Sequence, residues 1–457
     1  MGLNEQKIEK YLFWSVLIFL FISFTIDSQD NYQHFLSYIY LVGLIFAFAF
    51  PFLGVIAFTG SELFSQVLLD ELRFIFINIT SLGFLIILII FLFTMVKNKG
   101  FLDKKFHINH ILALGLVFIA VISTLINEQL IWYTNYDLMT GYFEGFLIYL
   151  SIVYLVSNAK QIRWFIWAFI AIGSGMVIRV WQLGGWETSL FGLENNQVAK
   201  IFLPIFALVI FAFWAEKDKK LKGISLFMSV IFLHTLVNLL GSRATYVALV
   251  ILGILMLIRR SNKISTWAAV VLVIIFLSVK LAPTVAPEFM SIQEAQYGKE
   301  ADPSAGSISA RAMILENGFE IFKENPVLGF GPASFESEYG KRYGRNTAAH
   351  NAYLEIAVET GFFGFVFYIL ILIGSLVSTF YAIRNFKRQG NTALYNFTIG
   401  AEIGLVSYMV NMLFINHPVE PITWILVGLC TSLYIISKEP AQEEIEQKPK
   451  IKKLLKK

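Results

Sequence analysis

The fold class follows from stretches such as Leu82–Val96, LGFLIILIIFLFTMV, which contains no charged residue. Comparable runs occupy Tyr11–Ile26, Phe35–Phe58 and Ile224–Leu239. A helix needs roughly 20 mostly apolar residues to cross a bilayer, whereas a membrane β-barrel shows short segments of alternating hydrophobicity. Because these runs are continuous, the chain is predicted to be an all-α polytopic membrane protein.

The composition of the whole chain agrees with this class. Of the 457 residues, 57% are hydrophobic and 15% are charged, with a mean hydropathy of +0.67. Soluble domains contain roughly 45–50% apolar and about 25% charged residues, so soluble enzymes, nucleic-acid-binding proteins and disordered scaffolds are excluded. The single cysteine, Cys430, argues against a disulfide framework and a cysteine-based metal site. No small-residue cleavage site follows the first apolar run, so no cleavable signal peptide is predicted.

About 12–14 transmembrane helices are predicted from the apolar stretches. These stretches are 11–26, 35–58, 73–96, 108–126, 142–157, 164–182, 199–215, 224–239, 244–258, 265–282, 356–382, 394–414 and 421–437. One long extracytoplasmic loop, about 283–355, lies between the tenth and the eleventh stretch. Pro51 interrupts the second stretch and residues 59–72 look amphipathic, so one of the first three stretches is a candidate re-entrant segment.

Clusters of lysine and arginine predict which side of the membrane each loop occupies. From the fourth stretch onward, two predicted spans separate each cluster from the next, as expected when every cluster is cytoplasmic. The long loop holds fewer basic than acidic residues, which agrees with an outside position. Five regions result: N-terminal helices in 1–130, central helices in 131–282, the extracytoplasmic loop 283–355, C-terminal helices in 356–437, and a basic cytoplasmic tail, 438–457, which is predicted to be disordered.

Two polar side chains on the predicted outer face are the main candidates for chemistry. Arg243 occupies a short turn, GSRA, where the positive-inside bias disfavours a cation. Its guanidinium either binds a phosphate or carboxylate or snorkels to the interface. His350 stands where the long loop enters the next span. A neutral imidazole there can act as a general base, although a histidine at a helix start is more often a cap or a surface residue.

Other polar residues also have a functional and a structural interpretation. Arg179 lies near the outer end of a span, and Asn196, beside Asn195, lies in a turn-like segment before the next span. Glu402 lies within a span and either pairs with a cation or takes part in proton coupling. The sequence contains no phosphate-binding glycine loop and no HExxH motif, so no metal and no cofactor are predicted.

Three motifs resemble the O-antigen ligase and polymerase superfamily. The first is the Ser242-Arg243 turn at the start of an apolar helix. The second, residues 309–339, reads SARAMILENGFEIFKENPVLGFGPASFESEY, with an arginine, a helix and then Asn-Pro-x-x-Gly-x-Gly. The third is His350-Asn351 followed after nine residues by Gly361 and then Gly364. The order of these motifs along residues 190–435 is similar to the family as well, whereas the first 130 residues resemble it only in being hydrophobic.

The resemblance implies a metal-independent, inverting glycosyltransferase at the outer face of the bacterial inner membrane. The donor would be a glycan on undecaprenyl diphosphate. The acceptor would be a lipid A core sugar, the next lipid-linked repeat or a polypeptide side chain, so a ligase and a polymerase both stay open. The resemblance also implies His350 as the catalytic base and Arg243 and Arg311 as diphosphate ligands. Further substrate-binding candidates are Arg179, Asn196, Asn351 and Arg345.

The extracytoplasmic loop is predicted to contain an amphipathic helix over residues 311–323 that lies over the membrane and roofs the site. Asn325-Pro326 ends this helix because proline disfavours helical conformation in the residue before it. Gly361 and Gly364 form a structural motif that is predicted to permit close helix packing. Four apolar residues are expected on one side of the amphipathic helix: Ile314, Leu315, Phe319 and Phe322.

A secondary transporter or lipid-linked-sugar flippase is the alternative class. The number of spans suits a transporter, and Glu402 would be its coupling residue. Transporters favour internal repeats and polar sites at the membrane midplane. The polar candidates here sit at the outer face instead, and no repeat is visible, so the glycosyltransferase is favoured.

Overall fold

The computed structural model describes residues 5–26, 29–63, 79–97, 105–127, 132–182, 195–240, 242–260 and 308–439. Throughout these ranges the chain is helical and contains no β-strand. The helices are α1 Glu5–Thr25, α2 Gln29–Ala47, α3 Pro51–Leu63, α4 Ile79–Lys97, α5 Ile108–Ile126, α6 Trp132–Leu155, α7 Ala159–Gln182, α8 Asn195–Ala215, α9 Lys219–His234, a π-helix Thr235–Leu239, α10 Arg243–Arg260, α11 Ile308–Glu324, α12 Phe335–Tyr343, α13 Ala352–Arg388, α14 Thr392–Asn411 and α15 Pro421–Ser437.

Five of the described helices are long and apolar enough to cross a membrane. They are α5, α7, α8, α13, and α9 together with the π-helix, and shorter apolar helices accompany them. The predicted all-α membrane class is therefore confirmed. The predicted span 265–282, the first part of the long loop up to residue 307 and the tail beyond residue 439 lie outside the described residues.

A central group of helices buries most of its surface. α14 packs along α8, and α13 packs against α5, α14 and α15. Gly404 has no side chain and so permits α14 to approach α8 closely. A Cβ at this position would lie 3.0 Å from the backbone of Pro204. Outward-facing side chains such as Phe93 and Phe227 are exposed in the described chain. Such an apolar exterior is suited to lipid contact.

The second predicted span, 35–58, is wrong as a single helix. The chain turns at residues 48–50, and Pro51 begins α3, where its missing N–H leaves no hydrogen bond unmade. α2 and α3 then pack against each other as a hairpin. Glycines permit the close approach: a Cβ on Gly43 would lie 2.5 Å from the Cβ of Ala57, and one on Gly54 would lie 2.4 Å from that of Ala47.

The bundle has two chemically different ends. The first, here called the basic end, contains the ion pair between Arg163 and Glu216. At the same end Arg259 of α10 binds Glu402 of α14, with Nε 2.9 Å from Oε2. Glu402 thus pairs with a cation, which was one of its two predicted roles. The opposite end, here called the site end, is where α10, α13 and α15 begin and where α14 ends.

Candidate active site

His350 lies directly before α13, at a junction that Asn351 fixes. The Asn351 Oδ1 accepts hydrogen bonds from the backbone N–H groups of Tyr353 and Leu354, both at 3.0 Å, and so caps the helix. Its Nδ2 donates to the Leu413 carbonyl oxygen at 3.2 Å. The side chain therefore ties the start of α13 to the end of α14. Asn351 was predicted to bind substrate, but its side chain makes these structural hydrogen bonds next to His350.

The backbone of His350 adopts a left-handed conformation, with φ of 48°. A side chain with a Cβ pays a steric cost of roughly 1–2 kcal/mol there, although histidine tolerates it better than most residues. Among the described residues, Ala333 and His417 are the other non-glycine residues with positive φ. His350 is half-buried at the site end. Strained backbone of this kind is often found at functional sites.

The Asn-Pro-x-x-Gly-x-Gly segment docks on a kink in α13. The kink is at Gly361, where φ is 67° and ψ is −168°. The backbone N–H of Phe330 donates to the Val358 carbonyl at 3.0 Å, and that of Gly331 donates to the Glu359 carbonyl at 2.8 Å. In return, the Phe362 N–H donates to the Pro326 carbonyl at 2.7 Å. The segment thus supplies hydrogen-bond partners for backbone N–H and C=O groups of α13 that have no partner within the helix at the kink.

Glycines are required on both sides of this contact. A Cβ on Gly361 would lie 2.3 Å from the Val327 carbonyl oxygen, and one on Gly329 would lie 2.5 Å from the Glu359 carbonyl oxygen. Around Gly364 the nearest atom is the Thr360 Oγ1 of its own helix, at 2.0 Å from the built Cβ. At Gly361 the glycine therefore accommodates a kink and a docked loop rather than a neighbouring helix, whereas the packing role predicted for Gly364 stays a prediction.

Two residues at the end of α5 secure the docked segment to the membrane bundle. Asn127 donates from Nδ2 to the Gly329 carbonyl at 3.0 Å. Ser123 donates from Oγ to the Glu359 carbonyl, also at 3.0 Å. The loop, the kink and the bundle are consequently one structural unit.

The predicted amphipathic helix 311–323 corresponds to α11, which ends at Glu324, just before Asn325-Pro326 as expected. Its apolar residues are divided between two faces, contrary to the prediction of one side. Ile314 and Ile321 are buried toward α13, whereas Leu315 and Phe319 are exposed. Residues four apart share a helix face, so Arg311, half-buried, begins the exposed strip that continues through Leu315 and Phe319.

Charged residues join α11 to α12. Arg342 binds Glu324 of α11 and Glu338 of its own helix. The hydrogen bonds from Arg342 hold the pKa of Glu324 below its usual range. Burial acts to raise the pKa of Glu338, but hydrogen bonds from Arg342 and Lys341 outweigh it, so that pKa is lowered too. Arg345, another substrate-binding candidate, follows the left-handed Gly344 and is exposed.

Arg243 begins α10, and its side chain is exposed at the site end. α10 packs against α14, and the pair formed by Arg259 and Glu402 fixes their relative position. Sixteen residues separate Arg243 from Arg259, which corresponds to about 24 Å of helix. Arg243 therefore lies at the site end, away from the basic end. Asn351 contacts the turn after α14 at this same end.

The π-helix Thr235–Leu239 precedes this arginine. A π turn contains an extra residue and therefore rotates the helical segment after it, and such turns often occur at functional sites. The Tyr246 hydroxyl donates to the Val237 carbonyl at 2.8 Å and links the π-helix to the first turn of α10. The orientation of the Ser242-Arg243 turn is therefore determined by two helices.

Arg179 and Asn196, two further candidates, have different environments. Arg179 is buried near the end of α7, and its Nη1 donates to the Ile26 carbonyl at 3.2 Å and to Gln182 at 2.8 Å. It links α7 to the end of α1. Asn196 is half-buried in the first turn of α8.

A charged cluster at the site end was not predicted as a site. Lys200 of α8 is fully buried, and its Nζ lies 2.6 Å from the Glu420 carboxylate. Glu355 of α13 accepts a hydrogen bond from the His417 N–H at 3.0 Å. Lys200 lies in α8, and His417 lies in the turn between α14 and α15. Their partners lie in other helices, so no local spacing connects them.

In the described part of the chain, no group of three or more His, Cys, Asp or Glu side chains is arranged to hold a metal ion. The apolar helices, with the loop docked on the same helix that begins after His350-Asn351, define a helical membrane protein with a polar site at one end. Residues 227–369 match the family described as O-antigen ligase. This match confirms the predicted resemblance to the O-antigen ligase superfamily, which includes ligases and polymerases. No curated protein matches the chain.

Proposed function

We propose that the protein is a metal-independent, inverting glycosyltransferase. It transfers a glycan from undecaprenyl diphosphate to an acceptor hydroxyl at the outer face of the bacterial inner membrane. The observation that carries this proposal is the placement of His350: its motif lies within the family match, and it stands at the start of the helix that Asn351 ties to the end of α14 and that also carries the docked loop. The membrane character of the bundle supports a lipid-linked substrate.

His350 acts as the general base in this proposal. The imidazole removes the proton from the acceptor hydroxyl as the acceptor oxygen bonds to the anomeric carbon of the donor. The bond between that carbon and the diphosphate oxygen breaks on the opposite side, so the configuration inverts and the diphosphate leaves with the electron pair. General-base assistance contributes roughly 10²–10⁴-fold to the rate. The rigid cap at Asn351 maintains the position that this assistance requires.

Arg243 and Arg311 bind the diphosphate. A departing diphosphate needs its developing charge neutralised, and a guanidinium offers a paired set of donors near a low-dielectric boundary. The strip that Arg311 forms with Leu315 and Phe319 places a cation beside exposed apolar side chains. This pairing is suited to an amphiphile with an anionic head and a prenyl tail. Further substrate-binding residues in this proposal are Arg179, Asn196 and Arg345.

The acceptor remains open between a sugar of the lipid A core and the next lipid-linked repeat. The transporter alternative loses its main support, because Glu402 is bound to Arg259.

The test supplies purified protein with its lipid-linked repeat alone and analyses the products on a sizing gel. A ladder indicates a polymerase, and transfer that appears only after addition of a lipid A core acceptor indicates a ligase. His350→Asn keeps a residue that tolerates the left-handed backbone but removes the base. We expect a rate reduced by roughly 10²-fold or more with donor binding retained.

Arg243→Lys and Arg388→Lys form a matched pair for the same assay. Lysine keeps the charge but loses the planar pair of donors, so Arg243→Lys is expected to weaken donor binding, whereas Arg388→Lys lies at the basic end and is expected to behave as wild type. Full transfer by His350→Asn would contradict the proposed base. Movement of the intact lipid-linked glycan across vesicles without transfer would favour the flippase.

A further inference from the structure

Before its kink, α13 lies along the site end of the bundle. Its first residue, Ala352, donates from its backbone N–H to the carbonyl of Met412 after α14 at 3.0 Å. Toward the kink, the Glu359 carbonyl accepts from Ser123 in the last turn of α5, also at 3.0 Å. This first part of α13 therefore connects the ends of two other helices, and α13 continues along α5 toward the basic end only after Gly361.

α11 lies beside this first part of α13. A Cβ on Gly318 would lie 2.6 Å from the Leu354 side chain, so the two backbones approach closely there. Further along, the Pro326 carbonyl after α11 accepts from the Phe362 N–H just after the kink, at 2.7 Å. The two segments thus run side by side in the same direction, and α11 also lies along the site end.

The side of α11 that faces away from α13 carries an apolar strip and a charged strip. Leu315 and Phe319 are four residues apart, share a helix face and are exposed, with 52% of Phe319 accessible. Glu316 and Glu320 follow them by one residue each, so they lie about 100° further round the helix, and both are exposed. The Lys323 Nζ lies 4.8 Å from the centroid of the Phe319 ring and 2.7 Å from Glu320, at the boundary between the strips.

The apolar strip continues onto the outer surface of α13. The Phe319 ring contacts that of Phe322 in the last turn of α11, with 6.1 Å between centroids. Val327, in the loop that follows, is exposed, as are Phe362 and Phe363 directly after the kink. Exposed apolar residues then extend along the remainder of α13, a helix long and apolar enough to cross a membrane: Leu370, Ile373, Val377 and Phe380.

We propose that α11 is a membrane anchor that inserts into the bilayer leaflet at the site end. Its anchor surface consists of Leu315, Phe319, Val327, Phe362 and Phe363. Phospholipid is the occupant because this surface continues the apolar exterior of a membrane-spanning helix, while a charged strip borders it on the other side. A contiguous exposed apolar patch beside polar residues marks an interaction surface, unlike apolar residues that are scattered singly. Amphipathic helices of this kind lie in the interface plane with the apolar face about 5–10 Å deep.

Insertion determines how α11 is rotated about its axis. Only the apolar strip fits the hydrocarbon, because transfer of the Glu316 and Glu320 carboxylates out of water is unfavourable. Lys323 extends its ammonium group toward water while its stem lies over Phe319, as lysines at membrane interfaces do. The bilayer thus gives the loop an attachment in addition to the backbone contact at Gly361. This inference does not depend on the proposed chemistry.

Spin labels on introduced cysteines test the insertion in the full-length protein, reconstituted into vesicles of phosphatidylethanolamine and phosphatidylglycerol. Phe319→Cys places the label on the apolar strip, and Glu320→Cys places it on the charged strip one residue away. We expect the label at position 319 to collide with oxygen, which concentrates in lipid, several-fold more than with a water-soluble nickel chelate. The label at position 320 should show the reverse. Labelled wild type measures the background from Cys430, which is buried.

Leu315→Cys and Glu316→Cys form a second matched pair, so the test does not depend on the folding of a single variant. A label at position 319 or 315 that the nickel chelate reaches as readily as its charged neighbour would overturn the inference. A label there that neither reagent reaches would assign the strip to a contact with a second protein copy and would overturn it as well.

The vesicles contain no prenyl lipid, so oxygen contact in them reports insertion into phospholipid alone. Oxygen contact that arises only after addition of farnesyl diphosphate would assign the strip to a prenyl ligand and contradict the anchor. Glycan transfer is measured on the same vesicles. A wild-type protein whose α11 is inserted but which transfers no glycan would refute the proposed function and leave the anchor standing.

Discussion

Gly361 and Val327 are in backbone contact so close that no side chain fits between them: a Cβ on Gly361 would lie 2.3 Å from the Val327 carbonyl oxygen. The contact joins the kink in α13 to the loop that follows α11. Since Phe362 donates to Pro326 across the same contact, both backbones are fixed relative to each other. His350 lies directly before the first turn of this kinked helix.

Gly361→Ala should separate the loop from the kink. The substitution combines a backbone φ of 67° with a collision against the Val327 carbonyl, so we expect a destabilisation of more than about 2 kcal/mol and loss of transfer. Thermal unfolding in detergent and the transfer assay measure the two effects. Gly344→Ala is the control, because its φ of 72° carries similar strain but nothing lies within 4 Å of the added Cβ. Equal behaviour of the two variants would refute the role of the contact.

Substitutions of Asn351 should separate its two functions. Asn351→Asp keeps an oxygen that accepts from Tyr353 and Leu354 but loses the donor to the Leu413 carbonyl. Asn351→Ala loses both and should cost about 1 kcal/mol more through the missing cap. Thermal unfolding measures the difference between the variants. Identical unfolding temperatures for Asn351→Asp and Asn351→Ala would show that the cap contributes nothing.

The link between α11 and α12 should weaken in acid. The pKa values of Glu324 and Glu338 are lowered in the folded state by Arg342, so their stabilisation is present above the unfolded-state pKa of glutamate, about 4.3, and is lost as the pH falls through the lower folded values. We expect the backbone amides of α12 to exchange faster at pH 3 than a pH correction for intrinsic exchange predicts. Hydrogen exchange by mass spectrometry measures this.

Arg342→Gln provides the matched control for the acid effect. It removes the cation that both carboxylates bind, so the excess exchange at low pH should disappear while exchange at pH 7 increases. The effect will be modest because Glu324 is half-exposed and its pair is screened by water. An Arg342→Gln protein with the same pH profile as wild type would show that other groups cause the change.

Glu402→Gln distinguishes the enzyme from a transporter. The variant leaves Arg259 without its carboxylate, so the protein should be less stable, but transfer per folded molecule should stay within about twofold of wild type. Addition of Arg259→Gln should restore part of the unfolding temperature, because it removes the uncompensated charge. Abolished activity at an unchanged unfolding temperature would instead favour a coupling role for Glu402.

The sequence by itself determined the helical membrane class and the order of the motifs. Uncharged runs such as Leu82–Val96 can satisfy their backbone groups in lipid only as helices. The end of α11 at Glu324 was also predictable, because Pro326 disfavours helical conformation at Asn325. These features depend on neighbours along the chain, so the local pattern suffices to predict them.

The tertiary structure alone decided the role of Gly361 and the contacts of His417. A glycine that packs against a helix and one that accepts a docked loop look alike in a sequence. The contact between His417 and Glu355 joins residues 62 positions apart, and Lys200 reaches the same turn from 216 positions away. Such contacts arise only when the packing of several helices brings distant segments to one end of the bundle, and that packing depends on side-chain shape across the whole core.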